Sequence, residues 1–234
     1  MQSVIEVLQS AGALAGGMLA RFGLVLALLA VAALPAVLIA AAIRRAGALR
    51  RRALGIREVA GVPFRDDLHY APGHLWIRRR PGGALEVGLD GIAQQLLPAV
   101  TSIEGVRPGT RVSRGEPIAV VRAGDRALTV LAPVDGVVAG VNAAAVRDPA
   151  LVKREGCGRG WVAALAPADE SFASLPRGQQ AEEWTRREAL RFARFLEDRL
   201  GFAGADGGAL VAPAPWLMGD DGWRALVDAF LRPS

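Results

Sequence analysis

The chain has 234 residues, a length that allows one compact domain with additional segments. Its formal net charge of +5 comes almost wholly from arginine, because Lys153 is the only lysine among 28 basic residues. Cys157 is the only cysteine, which excludes a disulfide within the chain. The arginines cluster beside an apolar run and are interpreted as membrane-topology signals, so we expect no nucleic acid partner.

An uncharged run at residues 22–43 predicts a single transmembrane helix. At about 1.5 Å per residue the run reaches about 33 Å, enough to cross a hydrocarbon core of about 30 Å. A secretory signal peptide is the main alternative, but its apolar region would be shorter and would follow positive charge. Residues 1–21 form an N-terminal segment, and residues 1–20 either lengthen the span or lie on the membrane surface.

Arginine is distributed unequally around this span. Arg21 precedes it, whereas five arginines follow it: Arg44, Arg45, Arg50, Arg51 and Arg52. This excess predicts that the C-terminal side faces the cytoplasm. We therefore expect a single-pass protein of the inner (cytoplasmic) membrane, with its N-terminus outside. Residues 44–62 are interpreted as a basic juxtamembrane linker.

Short apolar runs alternate with turn residues from residue 63 to about 170, as in an all-β domain. Two runs, 75–78 and 84–89, flank a Pro-Gly-Gly turn and predict a hairpin. Asp90 is the predicted N-cap of a short helix. Further strands are expected at 99–104, 111–112, 117–122, 127–131, 136–141 and 161–165, with a loop or short helix at 142–152.

Several motifs of this region occur in the same order in a known family. His74 opens a His-x-Trp motif, and residues 87–96 are similar to Val-Gly-Ile-Thr-x-x-Ala-Gln-x-x-Leu. Later landmarks are Gly109, Val112, Gly115, Pro117, 132–136, Asn142, 149–152 and 158–161. In these motifs the chain resembles the H protein of the glycine cleavage system over roughly residues 63–170. The resemblance implies a lipoyl-like barrel-sandwich domain, in which we expect His74 to be structural. The predicted fold class is mainly β, with a transmembrane helix before this domain and a helical extension after it.

The resemblance also implies a lipoyl lysine on an exposed hairpin, within Glu-Ser-x-Lys-Ala. Counting back from Ala132, that position falls on Asp125, and its neighbour is Arg126. A carboxylate and a permanently charged guanidinium cannot form the lipoyl amide. Arg122 replaces the acidic residue of the motif, and Lys153 matches a different region. We therefore predict a domain without lipoate or another cofactor, and with neither metal ligands nor catalytic residues.

The C-terminal part is predicted to contain an amphipathic helix at 171–200, followed by an extension at 201–234. Asp221 is expected to cap a short helix in this extension. The extension carries four large apolar residues, which we assign as candidate partner-binding residues: Trp216, Met218, Trp223 and Phe230. Packing on the chain's own domain and docking onto a partner subunit both remain open.

These features favour a non-catalytic accessory or scaffold subunit of a larger membrane complex. Its expected partners are integral membrane protein subunits and the lipid bilayer. The layout is similar to that of the H subunit of purple-bacterial photosynthetic reaction centres, which suggests an energy-transducing complex, photosynthetic or respiratory. One alternative is a membrane-tethered carrier or regulator of glycine cleavage or lipoate metabolism. Another is a membrane-fusion-type export adaptor, which the predicted cytoplasmic orientation disfavours.

Overall fold

A computed structural model describes the backbone of residues 2–200 and 219–231, and the side chains of 23–24, 29, 31–198 and 219–231. The chain divides into two compact units, Met1–Ala53 and Leu54–Ser234.

The first unit is one helix, α1 (Gln2–Ala53), of 52 residues. Alanine, leucine and arginine, which dominate its sequence, are strong helix formers, and the helix continues past Pro35. Its described side chains are exposed or nearly so. Among the residues described, it is the one helix long and apolar enough to cross a membrane. The helix includes residues 2–21, which were predicted as an N-terminal segment. It also includes residues 44–53, which were predicted as part of a basic linker.

The second unit begins with a hairpin of β1 (Ile56–Val59) and β2 (Val62–Arg65). Its turn residues Ala60 and Gly61 both have positive φ, 49° and 79°, as a type I′ turn requires. The side chains of Val62 and Phe64 are fully buried. Residues 56–62 are therefore a packed part of this unit, which corrects their interpretation as a linker.

A six-stranded antiparallel sheet has the order β3-β4-β5-β11-β10-β7. Its strands are β3 (His69–Ala71), β4 (Leu75–Arg79), β5 (Leu85–Leu89), β7 (Arg111–Val112), β10 (Gly136–Val141) and β11 (Ala163–Pro167). The second sheet has the order β6-β8-β9, with β6 (Ser102–Gly105), β8 (Pro117–Ala123) and β9 (Arg126–Leu131). Side chains from both sheets form one core, including Ile77, Val87, Ile118 and Leu128. The arrangement is an antiparallel β-sandwich.

Short helices connect some of the strands; one was predicted from its N-cap, and the interval 142–152 was predicted as a loop or a short helix. Asp90 caps α2 (Gly91–Leu96) by accepting hydrogen bonds from two backbone N–H groups, which confirms the predicted N-cap. The interval 142–152 contains α3 (Ala143–Arg147) and α4 (Leu151–Arg154).

The C-terminal helices differ from the prediction in their limits. Residues Ser171–Ser174 form a 3₁₀ turn, and α5 (Gln179–Leu200) begins only after Gly178, which has a φ of 58°. Helix α6 (Asp220–Leu226) continues as a π-helical turn through Leu231. Its N-cap is Gly219, so the prediction that Asp221 caps it was wrong. Because α1 and α5 contribute 52 and 22 residues, the whole chain is mixed α and β rather than mainly β.

Candidate functional site: a hairpin without an amine, beside the C-terminal helix

The hairpin of β8 and β9 contains the position at which the resemblance implies a lipoyl lysine. Ala123 pairs with Arg126, so Gly124 and Asp125 are the two turn residues. Gly124 has a φ of +63° and Asp125 has a negative φ, the pattern of a type II′ turn with glycine first. The Asp125 side chain is exposed at the tip. The hairpin therefore presents a carboxylate where an amine would be needed.

The residues on either side of the turn have their own contacts. The guanidinium carbon of Arg126 lies 4.7 Å from the centre of the Trp223 ring, a cation–π distance. Arg122 donates a hydrogen bond of 2.7 Å from Nε to Oε1 of Glu104 on the adjacent strand β6. This hydrogen bond holds the pKa of Glu104 below its usual range. Both arginines thus make contacts at the hairpin surface, and neither provides a nucleophilic amine.

The single lysine lies elsewhere, on α4. Its Nζ donates a hydrogen bond of 2.5 Å to the carbonyl oxygen of Leu97. The amine is partly buried, and desolvation lowers the pKa of Lys153. An amine engaged in this way differs from one at the tip of an exposed hairpin.

A cleft of about 730 Å³ lies between strand β9 and helix α6. Strand β9 contributes Leu128, Thr129 and Leu131, and the helix contributes half-buried Trp223. The remaining lining residues are Gly115, Ala127, Arg224, Val227, Asp228 and Leu231. The mixture of apolar walls and a few polar groups is typical of ligand and peptide clefts. The C-terminal helix therefore lies beside the strand that follows the hairpin.

Two of the four candidate partner-binding residues, Trp223 and Phe230, lie among the described residues. Phe230 is 3% exposed, and its ring packs edge-on against Phe192 and Phe195 at centroid distances of 5.5 and 5.4 Å. For Phe230 the structure shows the self-packing alternative. Trp223 is only half-buried and borders the cleft. Trp216 and Met218 lie outside the described residues.

A buried polar cluster around His74 was only partly foreseen. His74 has a φ of +57° and is 1% exposed, and its Nδ1 lies 2.9 Å from Oδ2 of Asp90. Its Nε2 lies 3.7 Å from Oε2 of Glu188 on α5, and the Trp184 ring centre is 5.5 Å away. Leu75 pairs with Leu89 across the β4–β5 hairpin, so the next residues beyond this pair, His74 and Asp90, lie side by side. The sequence signal that would have found this contact is the hairpin register.

Comparison with known proteins extends this picture. The family model described as "Glycine cleavage H-protein" matches residues 68–188. The chain belongs to the glycine cleavage H-protein family. Members of this family are carrier proteins and are not themselves enzymes. The match includes the hairpin and the first part of α5, whereas α1, the β1–β2 hairpin and α6 lie outside it.

Two relatives of the H-protein family illustrate the extent of the similarity. The glycine cleavage system H protein of Halorhodospira halophila is 35% identical over 106 residues, which are 45% of this chain and 82% of the relative. A probable H protein of Aeropyrum pernix is 32% identical over 133 residues, 56% of this chain and 92% of the relative. A crystal structure of the H protein from Mycobacterium marinum is 27% identical, with a TM-score of 0.46, and is matched over 98% of its length and 53% of this chain.

Proposed function

We propose that this protein is a membrane-anchored, non-lipoylated member of the H-protein family that acts as an accessory subunit of a membrane complex. The observation that carries the proposal is the hairpin turn, where Asp125 stands at the expected lipoyl position and Arg126 follows it. Attachment of lipoate requires a primary amine at that turn. Without the attached arm, the domain has no group on which to carry a substrate, so its remaining capacity is to bind.

The apolar, exposed helix α1 supports the anchoring part of the proposal. A helix of this kind near an N-terminus fits a membrane anchor and also a signal sequence. The uncharged run 22–43 is long for a signal sequence, and the charge lies mainly after it. We take α1 as a permanent anchor with the sandwich domain on the cytoplasmic side. A reporter enzyme active only in the periplasm, fused after residue 234, should therefore be inactive, and strong activity would reverse this topology.

The C-terminal helix supports the binding part of the proposal. Helix α6 is held to the domain by buried Leu226, Phe230 and Leu231. Trp223 borders an open cleft beside β9, and a half-buried tryptophan there is suited to contact a partner subunit. Trp216 and Met218 remain predicted contacts of the same kind. Integral membrane subunits are the expected partners, and an energy-transducing complex, photosynthetic or respiratory, is the candidate class.

Purification of the full chain in mild detergent tests the proposal. We expect defined membrane subunits to co-purify in fixed ratio. Truncation of a buried interface tryptophan often costs about 2 kcal/mol or more, roughly thirty-fold in affinity. Trp216→Ala with Trp223→Ala should thus release the partners while the sandwich stays folded. A matched control is Leu190→Ala, because Leu190 is an exposed apolar residue on α5 away from the cleft lining. A wild-type protein that runs as a lone monomer in several mild detergents would contradict the proposal.

A further inference from the structure

Four arginines surround one small residue near the end of α1. Relative to Ala48, Arg44 and Arg45 come four and three residues earlier, and Arg51 and Arg52 come three and four residues later. Residues three and four apart are neighbours on a helix surface, with Cβ atoms about 5–6 Å apart. We call these four arginines around Ala48 the arginine cradle. The methyl group of Ala48 leaves the centre of the cradle open.

The fifth arginine of the segment lies on the other side of the helix. At about 100° per residue, Arg50 is rotated about 160° from Ala48, and so is Ala46. All residues from Arg44 to Arg52 are exposed. The cradle therefore occupies one face of the helix. Ala46, on the opposite face at a similar depth, is a suitable position for a control substitution.

The cradle lacks acidic neighbours, in contrast to most arginines of the second unit. No acidic residue occurs between Glu6 and Glu58. Within the described ranges, none of the four cradle arginines lies within salt-bridge distance of a carboxylate. In the second unit most arginines are paired, for example Arg57 with Asp66 and Arg78 with Glu86. Arg44 donates one hydrogen bond from Nε to the carbonyl oxygen of Ala40, and an external anion would satisfy the remaining guanidinium donors of the cradle.

We propose that the arginine cradle binds the phosphate of an anionic phospholipid at the membrane face where the apolar run ends. This inference rests on the proposed anchoring of α1. Guanidinium groups match phosphate oxygens with paired, charge-assisted hydrogen bonds. A phosphate above Ala48 is within reach of arginines from the turn before and the turn after it.

The depth of the cradle favours a lipid as the source of this phosphate. Arg44 directly follows the last apolar residue, Ile43, and Arg51 comes about 12 Å further along the axis than Ile43. Helical side chains tilt toward the N-terminus, so Arg51 and Arg52 lean back toward the bilayer. The headgroup layer itself is about 5–7 Å thick on each side. Both pairs of arginines can therefore reach the phosphates of one layer of headgroups.

The test compares two substitutions of equal charge on opposite faces of the helix. The full chain is reconstituted in bilayers of equal phosphatidylcholine and phosphatidylglycerol, and the lipids retained on release are counted by native mass spectrometry. An arginine near an anionic surface contributes roughly fivefold in binding. Wild type and Ala46→Glu should therefore retain phosphatidylglycerol preferentially, whereas Ala48→Glu should lose that preference. Equal loss in both variants would show a general charge effect and would overturn the proposal.

A second set of variants removes the donors themselves. R44Q/R45Q/R51Q/R52Q should also lose the preference for phosphatidylglycerol. The control R107Q/R111Q/R114Q/R187Q removes the same charge from exposed positions of the second unit, and it should keep the preference. A large excess of inorganic phosphate should leave the preference in place. Its abolition by phosphate would identify a free-phosphate site and overturn the assignment to lipid.

The experiments distinguish an error in the anchoring proposal from an error in the lipid-binding proposal. Release of the wild-type chain from membranes by alkaline carbonate would overturn both the anchor and this inference. Retention in the membrane without a preference for phosphatidylglycerol would overturn the cradle alone.

Discussion

Replacement of Phe230 by alanine should detach helix α6 from the sandwich domain. The ring is 3% exposed and packs against Phe192 and Phe195, with the His74 ring centre 6.0 Å away. Truncation of a buried phenylalanine to alanine costs about 3–5 kcal/mol, through lost burial and the cavity that remains. This is a large fraction of the total stability of a typical domain, about 5–15 kcal/mol. We expect the cost to appear mainly as local opening, because α6 follows the rest of the domain in the chain.

Hydrogen exchange with mass spectrometry on the full chain in detergent measures this opening. A cost of about 3–5 kcal/mol corresponds to a loss of protection of at least about 100-fold in residues 219–231. Residues of strands β4 and β5 should keep their wild-type protection. Phe230→Leu keeps most of the apolar volume and should cost less than about 1.5 kcal/mol.

Trp223→Ala is the matched comparison for this experiment. Trp223 is half-buried at the edge of the core, and its ring also forms a cation–π pair with Arg126, which is worth about 0.5–1 kcal/mol at an exposed site. Because the Trp223 ring is only half-buried, its truncation should reduce protection less than truncation of Phe230 does. Unchanged protection in Phe230→Ala would refute the assignment of Phe230 to the core. Equal losses in the two variants would refute the division between a structural phenylalanine and an accessible tryptophan.

Two further predictions concern the polar contacts of the domain. Asp90→Ala should destabilise the domain by about 2–4 kcal/mol in denaturant unfolding, because it removes a helix cap and the carboxylate that contacts Nδ1 of the buried His74 ring. Asp90→Asn keeps a capping oxygen and should cost less. Equal costs for the two variants would contradict this reasoning. Hydrogen bonds from Arg57 lower the pKa of Asp66 and of Glu182. The two ionised carboxylates therefore contribute fully to stability above about pH 4.5, and this contribution is lost as the pH falls through their lowered pKa values. Arg57→Gln should therefore make unfolding less sensitive to acid below about pH 4.5, and an unchanged pH profile would contradict the assignment.

The sandwich was largely predictable because its turns carry strong local signals. The Pro-Gly-Gly turn at 81–83 correctly predicted the β4–β5 hairpin, and Asp90 correctly predicted a helix start. The hairpin that contains Asp125 was also expected, from the resemblance. In each case the backbone conformation is determined by one or two residues, so nearby sequence is sufficient.

The errors lie where distant contacts decide the outcome. Residues 56–62, which form strand β1, the turn and the start of β2, were interpreted as part of a basic linker. The burial of Val59 and Val62 becomes evident only once the rest of the domain is present. The burial of Phe230 depends on α5, more than 30 residues earlier in the chain. Local propensity contains no information about such pairings.

The position of the candidate site was predictable, whereas its surroundings were not. Asp125 was placed at the hairpin from the order of motifs alone. The contact of Arg126 with Trp223 and the hydrogen bond of Lys153 to Leu97 depend on tertiary packing. Neither contact joins residues that a periodic pattern would bring together.

The intact mass of the full chain, purified from cells supplied with lipoate, tests the central claim most directly. The hairpin has no primary amine, and the amine of Lys153 is partly buried and bonded to the Leu97 carbonyl. We therefore predict a mass equal to that of the unmodified chain. Asp125→Lys with Arg122→Glu restores an amine and an acidic neighbour, and the appearance of a lipoyl increment in this variant would show that the assay detects the modification. A lipoyl increment on the wild-type chain, mapped to Lys153, would contradict the account and favour a carrier.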